Sequence, residues 1–325
     1  MNRREILNLG VLLGLGPSLV RATCENVPMS AFDGDSTAED VTQNLDLSGK
    51  TALVTGVNTG IGYETMRVLA LHGAHVLGTA RTVEKGRLAC DSVVGRATPL
   101  VLELSDFDSV VQCAESVQAL TDSVDILVCN AGVLLNEFQQ VRGLEAHFVV
   151  NHLGHFLLVN RLLNQVLAAP AGRVVVVASR AHRSAPEDGI RFDQLDGSWP
   201  FDRQEFYGHS KLANGLFSLE LARRFEATTA TSNSLHPGVV VTGIARNLPS
   251  WQDTLFRSVG AFFLKSVEEG AATTCYVATS PDLEGVNGCY FADCNPETPE
   301  PNMLDTEMAK RLWEVSEELT RPYLA

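Results

Sequence analysis

Lys50-Thr51-Ala52-Leu53-Val54-Thr55-Gly56-Val57-Asn58-Thr59-Gly60-Ile61-Gly62 is the stretch that decides the fold of this chain. The apolar run ending at Gly56 has the pattern of a buried parallel strand. A helix-period stretch from Tyr63 to His72 follows the glycines. Strand, glycine turn and helix in that order are the context a dinucleotide site requires. Gly56 permits the tight turn, Gly60 lets the backbone approach a pyrophosphate, and Gly62 lets helix and strand pack closely. Asn58, Thr59 and Ile61 fill the turn, whose helix N-terminus offers free N–H groups to phosphate.

Working outward, strand-like runs at 51–56, 75–79, 98–103, 125–129, 173–178, 231–235 and 288–291 alternate with helical stretches. That alternation predicts an α/β fold, a Rossmann-type doubly wound parallel sheet with helices on both faces. The expected organisation is a signal-like or anchor segment over 1–24, a polar linker over 25–46, and one domain over 47–325 that includes a C-terminal helix.

Farther along, Tyr207-Gly208-His209-Ser210-Lys211 sets Tyr and Lys on one helix face. An ammonium beside the phenol is expected to lower a pKa that starts near about 10. The result would be a proton donor or acceptor usable near neutral pH. Ser179 precedes this pair at the end of the apolar run Arg173–Ala178.

The spacing Thr-Gly-x-x-x-Gly-x-Gly at 55–62, with Ser179, Tyr207 and Lys211, resembles the short-chain dehydrogenase/reductase family, over about residues 47–321. The resemblance implies roles residue by residue. Tyr207 would be the acid/base. Lys211 would tune Tyr207 and hold the nicotinamide ribose. Ser179 would donate to the substrate oxygen. Asn151 would bend a helix and anchor a water that relays protons to Lys211. Asn130-Ala131-Gly132 resembles the turn against the adenine-side ribose, with Cys129 where the family usually has a second Asn. Pro237, Gly238, Val240 and Thr242 lie in a segment like the one that holds the carboxamide. Tyr207–Asn214, Gly285–Tyr290 and Arg311–Ser316 are similar to the retinol dehydrogenase and WW-domain oxidoreductase subgroup.

At the end of the second strand Ala80 stands where NAD-selective members often place Asp, and Arg81 can bind a 2′-phosphate. NADP(H) is therefore favoured, with NAD(H) as the alternative. Glu103, before Leu104, takes the family's usual Asp position near the adenine, with a longer side chain. The expected reaction is hydride transfer between nicotinamide and a carbonyl or alcohol. The resemblance implies a hydrophobic substrate of retinoid, steroid or aldehyde type. A nucleotide-sensing scaffold without turnover is the alternative; such proteins usually lose Tyr, Lys or Ser, and all three are present. Trp199, Phe201 and Phe206, and Leu248, Trp251, Leu255, Phe256, Val259, Phe262 and Phe263, either line an apolar pocket or pack on the domain.

A net charge of −14 argues against nucleic acid as partner. The partner is a small molecule, and a homo-oligomer stays open. No Cys or His spacing suits zinc, and no metal is expected; the density of His147, His152 and His155 is not completed by carboxylates. The seven cysteines read mostly as core residues, with Cys289–Cys294 as the one candidate disulfide. Arg3-Arg4, the apolar stretch 6–20 and Val20-Arg21-Ala22 together resemble a twin-arginine export signal. A membrane anchor through residues 6–20, or a retained cytoplasmic tail, is the alternative.

Overall fold

The computed structural model describes Cys24, residues 27–240 and residues 265–324. Its strands are β1 (Thr51–Thr55), β2 (His75–Ala80), β3 (Arg96–Val101), β4 (Ile126–Cys129), β5 (Gln140–Val141), β6 (Leu144–Glu145), β7 (Arg173–Val177), β8 (Thr231–His236), β9 (Tyr290–Ala292) and β10 (Asn295–Pro296). Its helices are α1 (Gly60–Leu71), α2 (Val83–Cys90), α3 (Phe107–Leu120), α4 (Gly154–Arg161), α5 (Leu163–Ala168), α6 (Arg203–Phe225), α7 (Val267–Thr279) and α8 (Thr306–Thr320). A π-helical turn, Phe148–Leu153, runs into α4.

Eight strands form one sheet in the order β10-β9-β8-β7-β4-β1-β2-β3. All neighbours are parallel except β10 against β9. The order reverses between β1 and β4, and there the carboxyl ends of the strands open a crevice. Alternate residues of each strand feed opposite cores. Val174 and Val176 join a core with α3, α4, α6 and α8. Val175 and Val177 join a second core with α1 and α7. Burial on both faces explains the continuous apolar runs that made the strands legible.

One boundary differs from the sequence reading for a physical reason. The third strand ends at Val101 rather than 103, although Leu102 and Leu104 are apolar. These leucines are buried in the loop, so apolarity there reports core packing and not strand. Pro99 is tolerated inside β3 because β3 is an edge.

Residues 27–47, polar and acidic in sequence, lie on the domain. Val27, Ala38, Val41 and Leu47 enter the second core. Phe32 meets Tyr276 edge to face at 6.0 Å, and Ala38 N donates to Glu268 O at 2.9 Å. The cysteine reading is corrected in one respect: Cys289 pairs with Cys24, their Cα atoms 5.5 Å apart, and Cys294 is free and buried. Strand β9 stands between Cys289 and Cys294, and an extended strand carries its ends too far apart for a bridge. Cys294 instead faces α7, its N–H donating to Thr273 Oγ1 at 3.1 Å.

Candidate active site

The cofactor end of the crevice is built around Thr55. Its Oγ1 accepts from the N–H groups of Asn130 and Ala131, both at 2.9 Å, and Asn130 Nδ2 donates to Thr55 O at 2.8 Å. Gly56 has φ 76°, which a side chain would resist. A Cβ on Gly62 would lie 2.4 Å from both Gly56 O and Asn130 Nδ2, so only glycine lets α1 start this close to the sheet. Helices α2, α3, α6, α7 and α8 are capped by their own side chains: Thr82, Asp106, Asp202, Ser266 and Asp305. Thr59, the N-cap of α1, makes no such bond. The first-turn N–H groups of α1 are therefore left for an external acceptor, which fits a pyrophosphate.

Arg81 follows buried Ala80 at the end of β2 and is exposed; it makes no ion pair or hydrogen bond among the described residues. Glu103 is already committed locally, since its Oε1 accepts from Ser105 N at 3.2 Å and Ser105 Oγ at 2.7 Å. The side chain of Leu104 belongs to the core, so only its backbone can serve a ligand. Pro237 and Gly238 leave β8, and Val240 bridges Lys265. Thr242 and the aromatic segment 243–264 lie outside the described residues.

The four residues expected to do the chemistry converge. Gly208 explains how: a Cβ there would sit 2.5 Å from Ala181 O, so its absence lets α6 press against the turn after Ser179. Tyr207 is thereby brought beside Ser179, whose hydroxyl acts on its phenol. Lys211, one turn on, places Nζ 5.6 Å from the Tyr207 ring centroid and donates to Val177 O at 2.9 Å. Asn151 sits in the π-helical turn. It accepts from Val133 N at 2.7 Å and donates to Val133 O at 3.1 Å and Ser210 Oγ at 2.9 Å. Ser210 Oγ donates in turn to Tyr207 O at 2.7 Å, so Asn151 is tied to the helix of the pair. A Cβ on Gly132 would lie 3.1 Å from Asn151 Oδ1 and 3.7 Å from Lys211 Nζ, which places both at one point of the crevice.

The electrostatics correct one expectation. Burial pushes the Tyr207 phenol up to about 12, against the opposing hydrogen bond from Ser179. Burial also pulls the Lys211 ammonium down to about 8. Lys211 therefore does not outweigh desolvation of the phenolate here. It lies toward the ring and spends a proton on Val177 O rather than standing at the hydroxyl.

On the substrate side the aromatics divide. Phe206 is fully buried, with Trp199 stacked on it at 4.3 Å. Phe201 is half-buried, and Phe138 is 43% exposed while touching both Phe201 and Phe206 edge-on. Sequence reasoning missed Phe138, which follows the Asn130-Ala131-Gly132 turn by six residues and has only its position to mark it. It also missed three buried supports. His155 Nε2 meets Thr55 Oγ1 at 2.9 Å. Glu145 Oε1 accepts from His147 Nδ1 at 2.7 Å. His152, the third histidine of that dense stretch, meets Ser316 Oγ at 2.8 Å. Each of the three histidines has its own partner.

The short chain dehydrogenase family model matches residues 50–190, from the glycine turn past Ser179. Short-chain dehydrogenase TIC 32 B, chloroplastic, of Brassica napus is 39% identical over 88% of this chain and 93% of its own length. Retinol dehydrogenase 12 of Mus musculus is 40% identical over 86% of this chain and 88% of its own. The WW domain-containing oxidoreductase of Gallus gallus is 38% identical over 90% and 73%. A solved structure from Mycobacterium paratuberculosis superposes with TM-score 0.70 at 29% identity, covering 88% of this chain and 97% of that one. One from Beutenbergia cavernae, with NADP bound at low occupancy, gives TM-score 0.61 at 25% identity over 76% and 96%. With Asn151, Ser179, Tyr207 and Lys211 brought together on this sheet and these relatives alike over 73% to 93% of their own length, the chain belongs to the short-chain dehydrogenase/reductase family of oxidoreductases.

Proposed function

We propose that the protein is an NADP(H)-dependent oxidoreductase that interconverts a hydrophobic carbonyl compound and its alcohol. The observation that carries this reading is the convergence of Ser179, Tyr207, Lys211 and Asn151 at the crevice where the sheet order reverses. The bound nicotinamide supplies or accepts the hydride. In reduction, the Tyr207 hydroxyl stays protonated across the neutral range and gives its proton to the carbonyl oxygen. Ser179 steadies the charge that develops on that oxygen. Lys211, charged below about pH 8, supports the proton's departure from Tyr207. Exposed Arg81, free of any protein partner among the described residues, supports preference for the 2′-phosphate. Phe138 and Phe201 support an apolar substrate.

We further propose export through a twin-arginine signal. The Cys24–Cys289 bond supports this, because such bonds persist in oxidising compartments. Two relatives are chloroplastic, and among the described residues no helix is long and apolar enough to cross a membrane.

The test of the reaction is loss of NADPH absorbance with a panel of aldehydes and ketones. Tyr207→Phe should lower kcat by about 100-fold or more while NADPH still binds. Turnover by Tyr207→Phe near the parent rate would overturn the assignment.

A further inference from the structure

A second buried constellation lies beside the tetrad and none of the roles above uses it. Glu145 ends β6 and is 1% exposed; His147 is fully buried. The carboxylate accepts three N–H groups: His147 N at 2.8 Å and His147 Nδ1 at 2.7 Å on Oε1, and Phe148 N at 2.9 Å on Oε2. The other ring nitrogen, His147 Nε2, meets Leu135 N at 2.8 Å. A backbone N–H can only donate. Nε2 must then be a bare acceptor and Nδ1 must carry the proton, so His147 is neutral and Glu145 fixes its tautomer. This is the arrangement by which a carboxylate orients a working histidine, here aimed at a backbone amide.

The amide it holds matters. Leu135 lies between Val133, which Asn151 holds by both its N–H and C=O, and Phe138 on the substrate side. Glu145 also holds the 191–206 segment, because its own N–H donates to Leu195 O at 2.8 Å. The His147 ring also lies edge-on to Tyr207, 6.2 Å between centroids. Glu145 and His147 thus tie residues 133–138 to the 191–206 segment, beside the Tyr207 ring.

We propose that Glu145–His147 is a positioning pair that sets the width of the substrate cleft and so selects bulky apolar carbonyls over small ones. The proposal rests on the oxidoreductase reading above. Neither residue donates a proton to substrate, and neither touches the glycine turn, so the effect falls on substrate and not on cofactor.

The experiment compares His147→Leu, His147→Gln and Glu145→Gln with the parent, using a long-chain aldehyde, propanal and NADPH binding by fluorescence. His147→Leu leaves Leu135 N unpaired and should lower kcat/KM for the long aldehyde by about 10-fold or more. Turnover of propanal should change by less than about 3-fold, and NADPH affinity by less than about 2-fold. His147→Gln can accept from Leu135 N and should recover most of the loss. Glu145→Gln can keep an oxygen for His147 N and Nδ1 only by turning its NH2 group on Phe148 N–H, so it should loosen the hold on the ring while Nδ1 stays protonated. Nitrogen NMR of ring-labelled histidine, with the His147 signal assigned by its loss in His147→Gln, reads this directly. The parent and Glu145→Gln should both show Nδ1 protonated and Nε2 bare, as Leu135 N–H requires.

A parent with Nε2 protonated overturns the proposal, as does His147→Leu with unchanged discrimination between the two aldehydes. Equal loss toward both aldehydes together with loss of NADPH binding also overturns it, since that marks a folding role. Failure of the underlying reading looks different: the parent reduces no carbonyl, or Tyr207→Phe is as active as the parent.

Discussion

Thr55 Oγ1 stands 2.9 Å from His155 Nε2, and this contact joins the glycine-turn end of the crevice to the π-helical turn that carries Asn151. On one side Thr55 Oγ1 accepts from Asn130 N and Ala131 N. On the other, His155 Nδ1 lies 3.1 Å from Asn151 O in the π-helical turn. Nδ1 donates to that carbonyl, so Nε2 accepts, and the one Thr55 hydroxyl hydrogen is shared between Nε2 and Val128 O, 3.3 Å away. Cofactor loop and Asn151 thus share one buried hydroxyl.

Thr55→Val removes that hydroxyl and keeps the shape. Two backbone N–H groups and a ring nitrogen then lose their partner in the core, at about 1–3 kcal/mol. The expected result is a Tm lower by about 2–10 °C and weaker NADPH binding, with Thr55→Ser close to the parent. Calorimetry and a fluorescence titration check it. A Thr55→Val protein as stable and as tight as the parent would show that the hydroxyl joins nothing.

Arg81→Ala addresses cofactor choice. An exposed charge-assisted contact to phosphate contributes about 1.5–3 kcal/mol, so NADPH should weaken by roughly 10- to 150-fold. NADH has no 2′-phosphate and should change little. Ala80→Asp with Arg81→Ala should reverse the preference, by offering a ribose acceptor and repelling the phosphate. Equal Michaelis constants for the two cofactors in the parent would end the argument.

What the sequence made legible was what depends on local spacing. Gly56, Gly60 and Gly62 define a turn within one loop, and Tyr207 and Lys211 share one helix face by periodicity alone. Ser179 and Asn151 needed the family pattern, because the sheet brings them in from separate strands and turns. Glu145 and His147 carried no signal, since a Glu two residues before a His is ordinary until Leu135 arrives from another loop. Cys24 and Cys289 are 265 residues apart, and nothing local to either points to the other. The electrostatics of Tyr207 were misread for a related reason: burial is a property of the whole fold, and here it outweighs the neighbouring Lys211.

Buried histidines predict the acid response. Burial pulls His152 and His236 down to about 3 and His155 and His209 to about 4. Unfolded histidine binds its proton near about 6.5. Between that value and about pH 4 the unfolded chain therefore holds more protons, so stability is full above pH 6.5 and falls as pH drops. Each such histidine contributes up to about 1.4 kcal/mol per pH unit. Urea midpoints at pH 7, 6 and 5 should decline steadily. His209→Gln, which can still accept from Arg191 N, should flatten the decline. A midpoint constant from pH 7 to 5 would contradict neutral burial of these rings.

The last prediction concerns the disulfide. Cys24 lies two residues beyond Ala22, so cleavage after Ala22 would leave it in the mature chain, held to Cys289 at the head of β9. The bridge keeps residues 27–47 on the second core, where Val27 and Val41 are buried. Closing so long a loop stabilises a fold by about 2–4 kcal/mol. Reduction, Cys24→Ser or Cys289→Ser should each lower Tm by roughly 5–10 °C, and combining any two should add nothing. Peptide mapping without reductant should recover Cys24 joined to Cys289 from protein exported by a bacterium with a twin-arginine translocase. The Arg3→Lys, Arg4→Lys variant keeps the charge and loses the guanidinium pair, so it should stay in the cytoplasm with both thiols free. N-terminal sequencing of the exported parent should begin at Thr23. Recovery of a Cys289–Cys294 peptide, or of free Cys24 in exported protein, would sink the pairing. A double-lysine variant exported as efficiently as the parent would sink the export signal alone.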